Sequence, residues 1–363
     1  MPPAEMLRPA AEQRHADELA RLAAADTGGR PDGWRLSPRA VRSFILGEPG
    51  LGVSRKFFGD DGLVERAIVS LLSEQGLLLV GEPGTAKSML SELLAAAISG
   101  TSTLTVQGSS GTTDDHIRYG WNYALLIAEG PSERALAPSP VLRAMTEGRL
   151  VRIEEITRCP QEIQDALISI LSEKVMAMPE LGAHRFARPG FNIIATANLR
   201  DRGVHEMSSA LKRRFNFETV KPLADPALER ALIQRQLGDR LAGLAPRVLW
   251  PDEVLDVLVQ AFQDLRIGRT QDGAPIARPD AVMSTAEAVN VAHAASLDAA
   301  WFGQGRVDGG HVGRQLHGVV LKDNPDDVRK VRAYLDQIVR PRGQRQKAWA
   351  EFHAAAAKAL KDG

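Results

Sequence analysis

The sequence predicts an α/β fold: an αβα core with a parallel sheet, preceded by a short helical segment and followed by an all-α region. Three observations lead there. Between residues 57 and 225, apolar runs of strand length alternate with helical stretches, a pattern that builds a parallel sheet flanked by helices. A glycine-rich turn joins one such run directly to a helix. After Pro226 the strand signal fades and helical periodicity takes over. The chain therefore divides into a helical N-terminal segment (1–56), an αβα core (57–225) and an α-helical C-terminal region (226–363).

The elements follow in order. Residues 1–30 are Ala-rich and helical in pattern, closing on the loop Thr27-Gly28-Gly29-Arg30-Pro31. Ser37-Pro38 starts a second helix with Val41, Phe44, Ile45 and Leu46 on one face, and Gly47–Gly52 ends it. Leu63–Leu72 is helical, Leu77–Val80 a buried strand, and Met89–Ile98 a helix. Thr103–Val106, Leu150–Ile153 and Phe191–Ala197 read as further strands, with a helix over Cys159–Leu171. Ala227–Leu241, Pro251–Leu265, Ala281–Trp301 and Asp326–Val339 carry helical periodicity, and Phe352–Leu360 is an amphipathic tail expected to pack on the lid.

Composition narrows the function. The 363 residues include 45 Lys+Arg against 45 Asp+Glu, so formal charge is zero and no basic stripe favours nucleic acid as a partner. A single cysteine, Cys159, excludes a disulfide framework or a multi-cysteine metal site and suits a reducing compartment. Met1–Arg14 lacks the apolar run of a secretory signal, and no run approaches the ~20 residues of a bilayer span, so a cytoplasmic protein is expected.

The chemistry concentrates in four places. Gly81-Glu82-Pro83-Gly84-Thr85-Ala86-Lys87-Ser88 lies between a strand and a helix start, where inward-pointing N–H groups and the helix dipole make a phosphate cradle. Lys87 would reach the β- and γ-phosphates, and the Ser88 hydroxyl would hold Mg2+. Ala86 replaces the glycine of a full phosphate loop; alanine keeps the N–H donor and is tolerated there at negative φ. The strand Leu150-Val151-Arg152-Ile153 ends in Glu154 and Glu155. Glu154 stands on the metal side, one methylene longer than the usual Asp, and Glu155 is placed to polarise an attacking water. Asn198 ends a third strand, where its amide could bond that water or the γ-phosphate, ligands sitting outside the carboxyl ends of such strands. Leu211-Lys212-Arg213-Arg214-Phe215 offers guanidinium forks for phosphate, or a solvated basic helix end.

These pieces in this order resemble an AAA+ ATPase, and from Phe57 to about Pro222 the chain resembles the MoxR group of bacterial AAA+ ATPases. The resemblance rests on Gly-Glu-Pro-Gly-Thr-Ala-Lys-Ser (81–88), Arg-Ile-Glu-Glu-Ile-Thr-Arg (152–158), Ile-Ala-Thr-Ala-Asn (194–198) and Ser-Ala-Leu-Lys-Arg-Arg-Phe (209–215). It implies that Asn198 is the sensor-1 residue and that Arg214, with Arg213 in reserve, is a trans-acting arginine finger. It also implies that Ser172–Gly190 forms a hairpin ahead of the sensor strand and Val106–Leu136 an insert in helix 2. The lid helix opens Met283-Ser284-Thr285-Ala286-Glu287, which reads as a capping box and leaves no arginine at the sensor-2 position. Within the insert, Arg118-Tyr119-Gly120-Trp121-Asn122-Tyr123 groups three aromatics that either grip a partner or pack locally.

The resemblance implies a homo-oligomeric, hexameric ring that hydrolyses ATP with Mg2+ to remodel or activate a protein partner, one carrying a von Willebrand factor A domain being suitable. Two other readings are the motor subunit of a magnesium or cobalt chelatase, and a nucleotide-binding scaffold without turnover, the latter motivated by Glu154 and the absent sensor-2 arginine.

Overall fold

The computed structural model describes residues 6–198, 205–242, 247–281, 283–320 and 324–361. The chain separates into two compact units, residues 1–82 with 86–220, and residues 83–85 with 221–363.

The first unit is built on a five-stranded parallel sheet in the order β2-β5-β8-β1-β9. Its strands are β1 (Gly76–Gly81), β2 (Thr105–Gln107), β5 (Leu150–Glu154), β8 (Asn192–Asn198) and β9 (Phe215–Thr219). β1 is buried along its whole length, as an apolar run without alternation requires when both faces are covered. Four of the five strands match expectation in place. The fifth, β9, starts at Phe215, the last residue of the basic run Leu211–Phe215, where the sequence carries no expected strand. It is an edge strand with just Phe215 buried, so its apolar signal is two phenylalanines, and Phe217 remains exposed.

Helices cover the sheet: α1 (Ala16–Ala25), α2 (Pro38–Leu46), α3 (Asp61–Leu72), α4 (Lys87–Ser99) and α6 (Pro140–Glu147), with α5 (Tyr123–Glu129) carried on the insert. The helix expected over Cys159–Leu171 is interrupted. Cys159 is extended ahead of Pro160, as the residue before proline prefers, and two short helices follow, α7 (Gln161–Asp165) and α8 (Leu167–Glu173).

Residues 6–56 pack on this unit. Ala11, Leu22, Trp34 and Phe44 share one apolar cluster with Leu90, Leu93 and Leu94 of α4. Polar contacts reinforce it: Arg14 Nη2 donates to Glu92 Oε1 at 2.7 Å, and the Glu12 carboxylate accepts from Ser102 Oγ at 2.7 Å. Buried Lys56 pairs with Glu18 and stands 4.2 Å from the centre of the Phe44 ring. Burial pushes the Glu18 carboxyl up, but the Lys56 ammonium and the Ser54 hydroxyl and N–H outweigh it, leaving a pKa of about 2.

Two antiparallel hairpins project from the unit. β3 (Tyr119–Trp121) pairs with β4 (Leu136–Pro138), and β6 (Val175–Met178) with β7 (Ala183–Phe186), which are the expected insert and pre-sensor hairpin. They are laced together by Tyr119 Oη donating to Glu180 Oε2 at 2.6 Å and by Arg118 donating to the Ala177 carbonyl. The aromatic trio divides: Tyr119 is buried, Trp121 packs edge-on against it at 5.9 Å, and Tyr123 is 73% exposed.

The second unit is helical: α9 (Pro226–Arg240), α10 (Asp252–Ile267), α11 (Thr285–Trp301), α12 (Gly309–Gln315), α13 (Pro325–Tyr334) and α14 (Lys347–Ala359). Ser284 caps α11, its Oγ accepting from Glu287 N at 3.2 Å while Glu287 Oε2 accepts from Ser284 N at 3.1 Å. The tail does pack: Phe352, Ala356 and Leu360 are buried. It packs backbone to backbone with α12, because a Cβ at Gly313 would lie 2.5 Å from the Phe352 carbonyl oxygen. Within its core Glu229, fully buried, accepts from Arg266 Nη2 at 2.6 Å, Gln263 Nε2 at 3.0 Å and Thr285 Oγ1 at 2.7 Å.

Two outcomes follow. Glu229→Ala strands the Arg266 charge and should lower stability by about 3–5 kcal/mol in chemical denaturation, whereas Glu229→Leu with Arg266→Met should lose much less. Because the Glu18 pKa lies below its unfolded value of 4.5, its stabilisation is complete above pH 4.5 and lost as pH falls toward 2. The melting-temperature gap between the native chain and Glu18→Gln should therefore be widest at pH 7 and close between pH 4.5 and 2.

Candidate nucleotide-binding site

β1 ends at Gly81, in register with Asn198 at the end of β8, and α4 begins at Lys87. Strand, loop and helix start are thus stacked as a phosphate cradle needs, with the carboxyl ends of β1, β5 and β8 side by side. The Lys87 ammonium is buried and folds back on the loop, donating to the Gly81 carbonyl at 3.1 Å and the Glu82 carbonyl at 2.7 Å.

Ala86 departs from expectation. It sits at φ 69°, in the left-handed region, so the negative φ under which alanine would be tolerated is not the conformation adopted. A Cβ there costs on the order of 1 kcal/mol or more, and the loop holds it because Ala86 is the cap from which α4 starts.

The acids of β5 behave differently from each other. Glu154 is buried, and its two oxygens are shared among four donors. Ser88 Oγ at 2.6 Å and Thr196 Oγ1 at 2.8 Å reach Oε2, while Ser91 Oγ at 2.7 Å and Arg152 Nη2 at 2.6 Å reach Oε1. Burial raises its pKa, but the Arg152 charge and the three hydroxyls outweigh it and hold the carboxyl below the ordinary range. Glu154 is therefore an ionised group with the Ser88 hydroxyl against it, a pair of hard oxygen donors of the kind Mg2+ takes. No cluster of three or more His, Cys, Asp or Glu able to hold a metal occurs among the described residues.

Glu155 is half-exposed at φ 55°, its N–H donating to Thr196 Oγ1 at 3.0 Å and its Oε2 paired with Arg158 Nε at 2.8 Å. The turn is locked by Gly108, whose N–H donates to the Glu154 carbonyl at 2.7 Å; a Cβ at Gly108 would meet the Glu155 carbonyl oxygen at 2.4 Å. Cys159 is buried beside this turn, and burial pushes its thiol pKa up, so it packs.

Ser91, Arg152, Thr196, Arg158 and Gly108 were not singled out from sequence. Ser91 alone carried a signal, lying one helical turn beyond Ser88. The two arginines lie elsewhere. Gly76 N donates to the Arg214 carbonyl at the start of β1, five residues and so about 16 Å from Gly81. Arg214 is half-buried, donating to Ser172 Oγ and the Ala210 carbonyl, while Arg213 is exposed. Neither stands with the phosphate loop of its own chain.

Comparison with known proteins bears on this arrangement. Residues 76–215 match an AAA domain of the dynein-related subfamily, and residues 227–357 match the C-terminal domain of YehL-like AAA+ ATPases. The chain is 49% identical over 354 residues to the uncharacterised protein YehL of Escherichia coli, covering 96% of each. It is 30% identical over 185 residues to the chaperone MoxR1 of Mycobacterium tuberculosis, covering 50% of this chain and 46% of that one. An uncharacterised protein of Staphylococcus haemolyticus is 28% identical over 194 residues, covering 53% of this chain and 68% of that one.

Replacing Ala86 by glycine removes the left-handed alanine. Ala86→Gly should raise stability by about 0.5–1 kcal/mol, the relief of strain exceeding the entropy glycine adds to the unfolded chain, as read by chemical denaturation.

Proposed function

This chain belongs to the YehL-like AAA+ ATPase family, and on that premise we propose that it hydrolyses ATP as a ring of like subunits, acting on a protein partner. The observation that carries the reading is the convergence at the ends of β1, β5 and β8: Lys87 in the loop, Glu154 against Ser88, Glu155 beside Thr196, and Asn198 level with Gly81.

In this reading the N–H groups of Gly84–Ser88 hold the β-phosphate, and Lys87 exchanges loop carbonyls for phosphate oxygens. Ser88 and Glu154 are the residues that would hold Mg2+, which when bound neutralises phosphate charge. Glu155 orients and polarises water for in-line attack, and Asn198 bonds that water or the γ-phosphate without adding charge. Arg213 and Arg214, at the opposite end of the sheet, serve a neighbouring subunit's nucleotide, with Arg214 the first candidate and exposed Arg213 the second. The ring is proposed as a hexamer and the setting as cytoplasmic; no described helix is long and apolar enough to cross a membrane. Chaperone-like action on a protein partner follows the half-length likeness to MoxR1, and zero net charge supports a protein over nucleic acid.

The test is steady-state phosphate release by the full chain. Lys87→Ala should abolish nucleotide binding. Glu155→Gln should retain binding while turnover falls at least about 100-fold. Unchanged turnover in either would sink the reading.

A further inference from the structure

The chemistry proposed above gives Arg152 no task, yet every N–H of its guanidinium is engaged. Nε donates to Ser91 Oγ at 2.9 Å, and Nη1 to the Ser102 carbonyl at 3.0 Å and Thr105 Oγ1 at 3.4 Å. Nη2 donates to the Ser88 carbonyl at 3.2 Å and to Glu154 Oε1 at 2.6 Å. Five N–H groups thus meet five acceptors, drawn from α4, the segment ahead of β2, β2 itself and β5. Side chains two apart on a strand share a face, so Arg152 lies beside Glu154 while Ile153 faces away. The paired side chains are 11% and 7% exposed, which spares them the solvent screening that weakens a surface pair. Glutamate carries one rotatable bond more than aspartate, so its carboxylate has more ways to turn from Ser88. Arg152 and Ser91 on Oε1 remove that freedom and leave Oε2 toward Ser88 Oγ at 2.6 Å.

We infer that Arg152 is a positioning residue for the divalent cation: it locks the long acid in the rotamer that presents Oε2 beside the Ser88 hydroxyl. The inference rests on the reading above, in which Ser88 and Glu154 hold Mg2+. Partners behind a ligating carboxylate orient it, and removing one weakens metal binding by about 10- to 100-fold. A planar guanidinium does this where lysine would not, because an ammonium has three donors on a flexible stem and cannot span five acceptors. Nucleotide binding without metal draws on the loop N–H groups and Lys87, and so serves as the control.

The experiment titrates Mn2+, as the probe for Mg2+, into the full chain held in excess over ADP. Free Mn2+ is read by electron paramagnetic resonance, alongside ADP affinity in EDTA and melting temperature. Arg152→Lys keeps the charge that neutralises Glu154 but loses the fork, and the Kd for Mn2+ should rise about tenfold or more. Arg152→Gln should weaken Mn2+ at least as far, and ADP affinity in EDTA should stay within about twofold of native in both. Ser91→Ala, which takes one partner from both side chains and leaves the charges paired, should raise the Mn2+ Kd about threefold, and it tests the lock even where neither Arg152 variant folds. A lowered melting temperature with native Mn2+ affinity in these variants would make Arg152 a strut of the fold and overturn the inference. Native Mn2+ affinity in Glu154→Gln would instead remove Glu154 from the metal, so failure of the underlying reading is distinguishable from failure of the inference.

Discussion

The carboxylate of Glu154 is the constraint on which the rest of the site depends. Four donors from three elements meet on it: Ser88 and Ser91 from α4, Arg152 from its own strand β5, and Thr196 from β8. A buried carboxylate without such partners would take up a proton or force a rearrangement, since stranding a charge in low dielectric costs several kcal/mol. Satisfied as it is, the group stays ionised and fixes the spacing between the phosphate-loop helix and two strands. The same Thr196 hydroxyl that donates to Glu154 accepts from the Glu155 N–H, so the two adjacent acids are set by one atom.

This network also resolves what the extra methylene of Glu154 does. A shorter aspartate in a strand of this register would reach less far toward α4, leaving Ser91 and Arg152 with less to hold. The longer acid is accommodated because both hydroxyls of the first helical turn and a guanidinium surround it. Glu154 is thus held where it stands by the groups its length reaches.

Much of this was legible in the sequence, for physical reasons that differ by element. The phosphate loop announces itself because glycine, lysine and serine at fixed spacing between a strand and a helix have few other uses, and β1 is a continuous apolar run buried on both faces, with β5 and β8 buried at most of their positions. β9 escaped because an edge strand needs only one buried face, and Phe215 is its single buried residue. The break at Pro160 was hidden by helical periodicity on either side of it. The left-handed Ala86 could not be read, because nothing local distinguishes an alanine held at positive φ from one at ease. Arg152 and Arg158 were missed for a related reason: a charged residue in or after a strand reads as solvated until the fold shows which carboxylate it faces. The sequence of the aromatic trio is compatible with gripping a partner or with packing, because nothing local separates Tyr119, which lies inside, from Tyr123, which lies outside.

The central claim is that one subunit's arginines complete another subunit's site, and complementation tests it most directly. A Lys87→Ala chain keeps its arginines but lacks a working phosphate loop, and an Arg213→Ala/Arg214→Ala chain keeps the loop but lacks the guanidinium groups. Each alone should release phosphate at background rates. Mixed, they should recover turnover, because mixed rings juxtapose an intact loop with an intact arginine pair. A mixture no faster than the sum of its parts, under conditions where the two chains are shown to co-assemble, would contradict the account.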